Sequence, residues 1–317
     1  MTDKISQINN INMRIPKVRG IIRKNFELSR LSWLKVGGPA EIFFQPEDED
    51  DLSFFLKNLE TNIPIFVIGA CSNLIIRDGG IPGVVIKLGK NFSTIKLNKT
   101  VVSVGAACRD SYLAQTCAKE GVDLSFLRTI PGNLGGAVKM NAGCYGSYLS
   151  DYLIGLTLIR RDGSIADMKA SDFKFSYRNS NIPDDAIITN VLLRKELDDP
   201  LRIEMKMTRA LDIRNLSQPT KDLSCGSTFR NPLGRSSLED KYDNDHSLKA
   251  WKLIDDAGLR GAKIGGAMVS KKHTNFLINT GNATAKDIED LGKFIIKKVK
   301  TNSGINLIWE VKRVGKY

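Results

Sequence analysis

Five short segments carry residue types that could do chemistry. Gly69-Ala70-Cys71-Ser72-Asn73 follows an apolar run. Its small side chains let backbone N–H groups approach an anion, and Ser72 and Asn73 add side-chain hydrogen bonds. The same residues also suit a tight turn around a small buried cysteine. They do not make a dinucleotide fingerprint, because Leu74-Ile75-Ile76 after them reads as a strand and not as a helix. The second segment, Ile130-Pro131-Gly132-Asn133-Leu134-Gly135-Gly136-Ala137, continues to Met140-Asn141-Ala142-Gly143-Cys144-Tyr145-Gly146. Interleaved apolar residues exclude a flexible linker here. Two readings stay open, backbone brought against a ligand or a set of close-packed turns. The other three segments each hold one polar candidate. Arg178 lies in Phe175-Ser176-Tyr177-Arg178-Asn179-Ser180, and Ser227 in Cys225-Gly226-Ser227-Thr228-Phe229-Arg230-Asn231-Pro232. Glu310 interrupts the strand-like run Leu307-Ile308-Trp309-Glu310-Val311. Taken singly, they read as a surface salt bridge, a turn-capping hydroxyl and a water-facing strand position.

The elements around these segments are legible from periodicity. Leu52, Phe55, Leu56 and Leu59 recur at helical spacing after the acidic residues 47–51, which suit a helix N-terminus. Residues 65–68, 74–76, 84–86, 101–104, 156–159 and 187–193 read as strands. Arg161-Asp162-Gly163-Ser164 predicts a hairpin turn. Helices are expected between Asp110 and Glu120, stopped by Gly121, and over 203–215. Two more are expected over 248–257, stopped by Gly258, and over 285–300. Thr284 and Asp287 form a capping-box pattern for the last, with Ile288, Leu291, Ile295 and Val299 as its buried stripe. The first 25 residues are polar and mixed and predict a frayed or loosely docked segment. A boundary is expected at the polar stretch 215–221.

The chain has 317 residues, 42% hydrophobic and 26% charged, which excludes a disordered or collagen-like polymer and a small disulfide scaffold. It has no apolar stretch of membrane-spanning length and no signal-peptide core, so a cytoplasmic protein without membrane insertion is expected. Five cysteines without a Cys-x-x-Cys pair predict reduced thiols, and two histidines leave little material for a metal site. The net charge of +12 points to anionic partners. The densest basic cluster, Lys293, Lys297, Lys298 and Lys300, reads as the wet face of a helix, and no nucleic-acid motif accompanies it.

In order and spacing these segments resemble the flavin-dependent UDP-N-acetylenolpyruvoylglucosamine reductases of peptidoglycan precursor synthesis. The resemblance runs from Val36-Gly37-Gly38-Pro39-Ala40 to Glu310-Val311, and it is closest to the family's second type. It implies an α+β chain. A two-lobed FAD-binding fold of the vanillyl-alcohol oxidase-like (PCMH) type over 36–211, with lobes split near 97, would follow an N-terminal segment 1–35. A smaller α+β substrate domain would occupy 212–309, and a segment 310–317 would return to the active site. It further implies non-covalent FAD, NADPH as co-substrate, a UDP-sugar substrate and a monomer. Gly69, Ala70, Cys71, Ser72, Asn73 and Leu74 would wrap the FAD pyrophosphate. Pro131, Gly132, Gly135, Gly136, Asn141, Ala142 and Gly143 would line the rest of the cofactor. Arg178, Ser227 and Glu310 match the family's catalytic positions, and Tyr145, Arg214 and Asn231 fall where substrate is held. Two positions depart from the pattern. Cys71 stands where glycine is usual, placing a side chain near the pyrophosphate, and Ser217 stands where a basic residue is common.

Two rivals remain. An FAD-linked sugar or alcohol oxidase would share the fold, but many of those tether the flavin through histidine or cysteine, and neither histidine lies near the flavin loops. A non-catalytic nucleotide-binding module would not need Arg178, Ser227 and Glu310 together.

Overall fold

The structure, a computed structural model, describes residues 15–144, 146–232 and 246–317. Short apolar runs make its first sheet. β1 (Ile21–Glu27), β2 (Pro39–Gln45), β3 (Ile65–Ile68) and β5 (Ile81–Lys87) lie in the order β1-β2-β5-β3. β2, β5 and β3 are parallel, and β1 closes the edge antiparallel to β2. β4 (Leu74–Ile76) leaves this sheet for a partner at the far end of the chain. α1 (Glu49–Asn58) buries Leu52, Phe55 and Leu56, and the Asp48 side chain caps it by accepting the Asp51 N–H. β1 corrects the expectation of a frayed N-terminal segment from Ile21 onward, where pairing begins, while residues 1–14 lie outside the described residues. An edge strand shows most of its side chains to water, so its sequence reads as polar.

The second lobe is a five-stranded antiparallel sheet. β6 (Ile95–Leu97), β7 (Val101–Gly105), β10 (Leu153–Ile159), β11 (Ile165–Lys169) and β14 (Ile187–Arg194) order as β11-β10-β14-β7-β6. The turn at residues 161–164 joins β10 to β11 as the sequence predicts, with Gly163 in the left-handed region. Around the sheet lie α2 (Asp110–Lys119), α3 (Leu134–Lys139) and α4 (Pro200–Ser217). The two-residue pairs β8 (Gly143–Cys144) with β9 (Ser147–Tyr148), and β12 (Phe175–Ser176) with β13 (Asn179–Ser180), complete it. One apolar core joins both lobes, from Phe44 and Phe55 through Leu113 and Leu124 to Leu156 and Val191. α4 runs unbroken through residue 211 to Ser217, so its last turn covers the start of the polar stretch 215–221.

The last unit packs α5 (Ala250–Asp256) and α6 (Ala285–Ser303) with the sheet β15-β18-β17-β16. Those strands are β15 (Leu223–Ser227), β16 (Lys263–Ile264), β17 (Ala267–Val269) and β18 (Phe276–Asn279). α6 has the predicted capping box at Thr284 and Asp287, buries the predicted stripe and ends at left-handed Gly304. β19 (Lys312–Val314) then pairs in parallel with β4. Two further contacts fasten this unit to the first lobe. Asp78 accepts the Ala285 and Lys286 N–H groups, and buried Glu289 takes Arg77 Nε at 2.8 Å and the Tyr317 hydroxyl at 2.7 Å. Among the described residues no helix is long and apolar enough to cross a membrane.

Candidate active site

A cleft of about 1180 Å³ opens where the three units meet. That exceeds the room one drug-sized ligand takes. The loop 69–73 joins β3 to β4 along one wall. Cys71 sits in the left-handed region at φ 54°, which is the reason a glycine would be easier there. Among the described residues the backbone N–H groups of Ala70, Cys71, Ser72 and Asn73 have no hydrogen-bond acceptor. A left-handed residue among free amides makes a concave donor set for an anion. The Cys71 side chain is only 3% exposed and packs with Ile68, Ile76 and Val85. The expectation that its thiol stands against a pyrophosphate is thereby corrected. Burial pushes that thiol up to about 11.

The facing wall is the second glycine-rich segment. Ser72 Oγ donates to the Pro131 carbonyl at 2.7 Å and ties the two loops together. Gly132 has φ 150°, and a Cβ there would come within 3.3 Å of both Ser72 Oγ and Asp110 Oδ2. The next residues close into α3, where the Leu134 and Gly135 N–H groups donate to Cys108 and Ala106 carbonyls. Gly69 to Leu74, Pro131, Gly132, Gly135, Gly136, Ala142 and Gly143 all line the cleft. Asn141 lies beneath it. Its side chain is used inside the protein, donating to Ser176 O at 3.2 Å and accepting Ser150 N–H at 3.0 Å. Free amides on one wall, glycines on the other and their shared hinge fit a long diphosphate-containing cofactor such as FAD.

Side chains build the other end of the cleft. Arg178 occupies the turn of the β12–β13 hairpin at φ 54°, a conformation that costs a non-glycine residue about 1–2 kcal/mol. Its Nε donates to Glu310 Oε1 at 2.8 Å. Glu310 is 12% exposed, so the water-facing reading of this position fails. The strand-like run 307–311 contributes an isolated bridge, Trp309 to Phe229, and the regular strand starts only at Lys312. That bridge sets the site: Glu310 N–H donates to Thr228 O at 2.8 Å, beside Ser227, and Arg230 N–H to Ile308 O. The Ser227 hydroxyl makes no hydrogen bond among the described residues, and the residue lines the cleft. Burial pushes the Glu310 carboxyl above the ordinary glutamate range while the Arg178 charge pulls it back.

Arg214 and Asn231 also line the cleft; Arg214 Nη1 donates to Thr129 O at 2.8 Å, and Asn231 Oδ1 accepts Ala250 N–H. Tyr145 lies outside the described residues. The sequence assigned no role to Arg230, Asp110, Lys312, Trp251 or His273, which line the cleft as well. A cation three residues after Ser227 was a usable signal for Arg230. Asp110 offered none, because an acid opening a helix is ordinary capping chemistry.

Residues 40–169 match an FAD binding domain, and residues 218–314 match the C-terminal domain of UDP-N-acetylenolpyruvoylglucosamine reductase. Reductases of that name from Paracoccus denitrificans (strain Pd 1222) and Ruegeria pomeroyi are each 50% identical. The first alignment covers 95% of this chain and 98% of the relative, the second 94% and 96%. A solved UDP-N-acetylenolpyruvylglucosamine reductase from Thermus caldophilus superposes with TM-score 0.77 at 32% identity, over 94% of this chain and 99% of that one. A wall of free amides facing a glycine-rich one, a buried arginine–glutamate pair and the relatives agree: this chain belongs to the UDP-N-acetylenolpyruvoylglucosamine reductase family.

Proposed function

We propose that the chain is an FAD-containing, NADPH-dependent reductase. It converts the enolpyruvyl ether of UDP-N-acetylglucosamine enolpyruvate to UDP-N-acetylmuramate for peptidoglycan synthesis, as a cytoplasmic monomer. The observation that carries this reading is the buried Arg178–Glu310 pair, brought beside Ser227 by the 228–310 backbone contact, in a cleft lined by free amides.

FAD, when bound, supplies the hydride relay between NADPH and the enolpyruvyl carbon. The chain's own groups do the rest. Residues 69–73 hold the pyrophosphate by backbone N–H groups, and the glycines of 131–143 let the cofactor approach main chain. FAD is held without a covalent link, which the buried Cys71 thiol supports. Arg178 stabilises the charge that builds at the substrate carboxylate. Glu310 fixes the guanidinium, and its Nε bond leaves the terminal amines for substrate. Ser227 gives its hydroxyl proton to the carbon next to the carboxylate and its alkoxide regains a proton from water, and Arg214 and Asn231 hold the nucleotide sugar. In this reading 36–211 serve the cofactor, 212–309 the substrate, and 310–317 bring Glu310 back. The purified protein is expected to be yellow, to release its flavin on acid precipitation and to consume NADPH only when the enolpyruvyl sugar nucleotide is present. NADPH oxidation by oxygen, indifferent to that nucleotide, would favour an oxidase.

A further inference from the structure

The reaction centre holds an unbalanced charge. Arg178 is matched by Glu310 at 2.8 Å. Arg230 beside them is matched by nothing: among the described residues no carboxylate lies within ion-pair distance of it. Its Nη2 donates over 3.4 Å to the Arg178 carbonyl, and its Nε is buried without an acceptor. A guanidinium offers five N–H donors, and a half-buried one without a counter-charge is costly to keep. Its position is fixed. Arg230 N–H donates to Ile308 O at 2.8 Å, so the residue is locked into the same ladder that presents Glu310. The side chain lines the cleft three residues beyond Ser227 and next to Asn231. Its charge helps to hold the Glu310 carboxyl down, so the two groups sense each other without pairing.

We propose that Arg230 is the binding residue for an anionic group of the substrate, the enolpyruvyl carboxylate, and that this group supplies the missing counter-charge. The assignment rests on the reductase reading above. Arg178, held by Glu310, acts on charge as it develops, whereas Arg230 meets charge already present in the bound substrate. A guanidinium fork suits a carboxylate, and an interaction made equally before and during reaction appears in KM and not in kcat.

The test is Arg230→Gln, with Arg230→Lys as a second variant that keeps the charge and loses the fork. Ligand binding is read from the perturbation of the oxidised flavin spectrum, without NADPH. Two ligands are compared, the enolpyruvyl sugar nucleotide and UDP-N-acetylglucosamine, which lacks the carboxylate but keeps the diphosphate. Loss of one charge-assisted hydrogen bond weakens binding roughly 10- to 100-fold. Arg230→Gln is expected to show that loss for the enolpyruvyl ligand alone, with KM raised in step, kcat nearly kept, and flavin content and reduction by NADPH unchanged. Arg230→Lys should fall between. Equal weakening for both ligands would overturn the carboxylate assignment and place Arg230 on the diphosphate. Unchanged binding of both by Arg230→Gln would overturn the proposal outright. A wild-type protein that binds neither ligand would overturn the reductase reading itself.

Discussion

The two ends of the cleft are built from different materials. The end proposed for the cofactor is made of main chain: free amides at 70–73, glycines at 132, 135, 136 and 143, and a hydroxyl, Ser72, spent on tying the loops together. The end proposed for the reaction is made of side chains drawn from three places, the hairpin at Arg178, the end of β15 at Ser227 and the returning segment at Glu310. A backbone site depends on conformation, so it tolerates a changed side chain where the side chain points elsewhere. Cys71 shows this: its backbone is in the left-handed region, yet its side chain is buried in the core. A side-chain site depends on identity, so even a conservative change should be felt.

That contrast can be tested by substitution. The largest effect is expected at Arg178. Arg178→Lys keeps charge but cannot both hold Glu310 through Nε and present a planar fork, and turnover should fall roughly 10²- to 10³-fold. FAD content should not change, since Arg178 is no part of the backbone site. Loss of bound flavin from this variant would mean that the two ends are not separate.

Gly132→Ala should do the reverse. A side chain at φ 150° is strained, and its Cβ would press on Ser72 Oγ and Asp110 Oδ2. A penalty of about 1–2 kcal/mol corresponds to roughly tenfold weaker FAD binding, measured by fluorescence titration of the apoprotein. Turnover of enzyme saturated with FAD should be nearly kept. A tenfold fall in turnover with FAD affinity intact would contradict the division.

The smallest effect concerns Asp110, fully buried at the start of α2, with neither carboxyl oxygen hydrogen-bonded. Burial holds its carboxyl well above the ordinary carboxylate range. The folded chain therefore keeps a proton that the unfolded chain releases, so this group's contribution is most favourable below pH 4 and declines as pH rises. Asp110→Asn cannot ionise. Its melting temperature should exceed the wild type's by a few degrees at pH 8, at roughly 2–4 °C per kcal/mol for a chain of this size. The gap should shrink toward pH 4, with flavin content retained. A variant less stable at pH 8 would show that Asp110 serves as a paired carboxylate in the cofactor-bound protein.

What the sequence revealed divides along the same line. Periodic elements were legible: α6 has its capping box at Thr284 and its buried stripe from Ile288 where the sequence put them, and runs one turn past residue 300 to Ser303 before left-handed Gly304. By residue type alone the glycine-rich segments read as ligand or turn, and only the family resemblance set both against one cofactor. The bond from Ser72 to Pro131 spans 59 residues. The edge strand β1 was missed because an edge exposes most of its residues. The run around Glu310 looked like a strand and proved to be a bridge, because Phe229 meets Trp309 at one position only before β19 turns to β4. The pairing of Arg178 with Glu310 spans 132 residues, and no local pattern encodes it. Asn141 was expected against the cofactor and instead braces the hairpin that carries Arg178, a role visible only once Ser176 is placed beside it.

Ser227, with its unbonded hydroxyl in the cleft, is proposed to act on substrate and to have no part in holding or reducing the flavin. A stopped-flow measurement on Ser227→Ala separates the two half-reactions by flavin absorbance. Flavin content and reduction by NADPH should match wild type, while reoxidation by the enolpyruvyl sugar nucleotide should slow by the roughly 10²- to 10⁴-fold that a positioned proton donor contributes. Equal slowing of both halves, or of neither, would contradict the account.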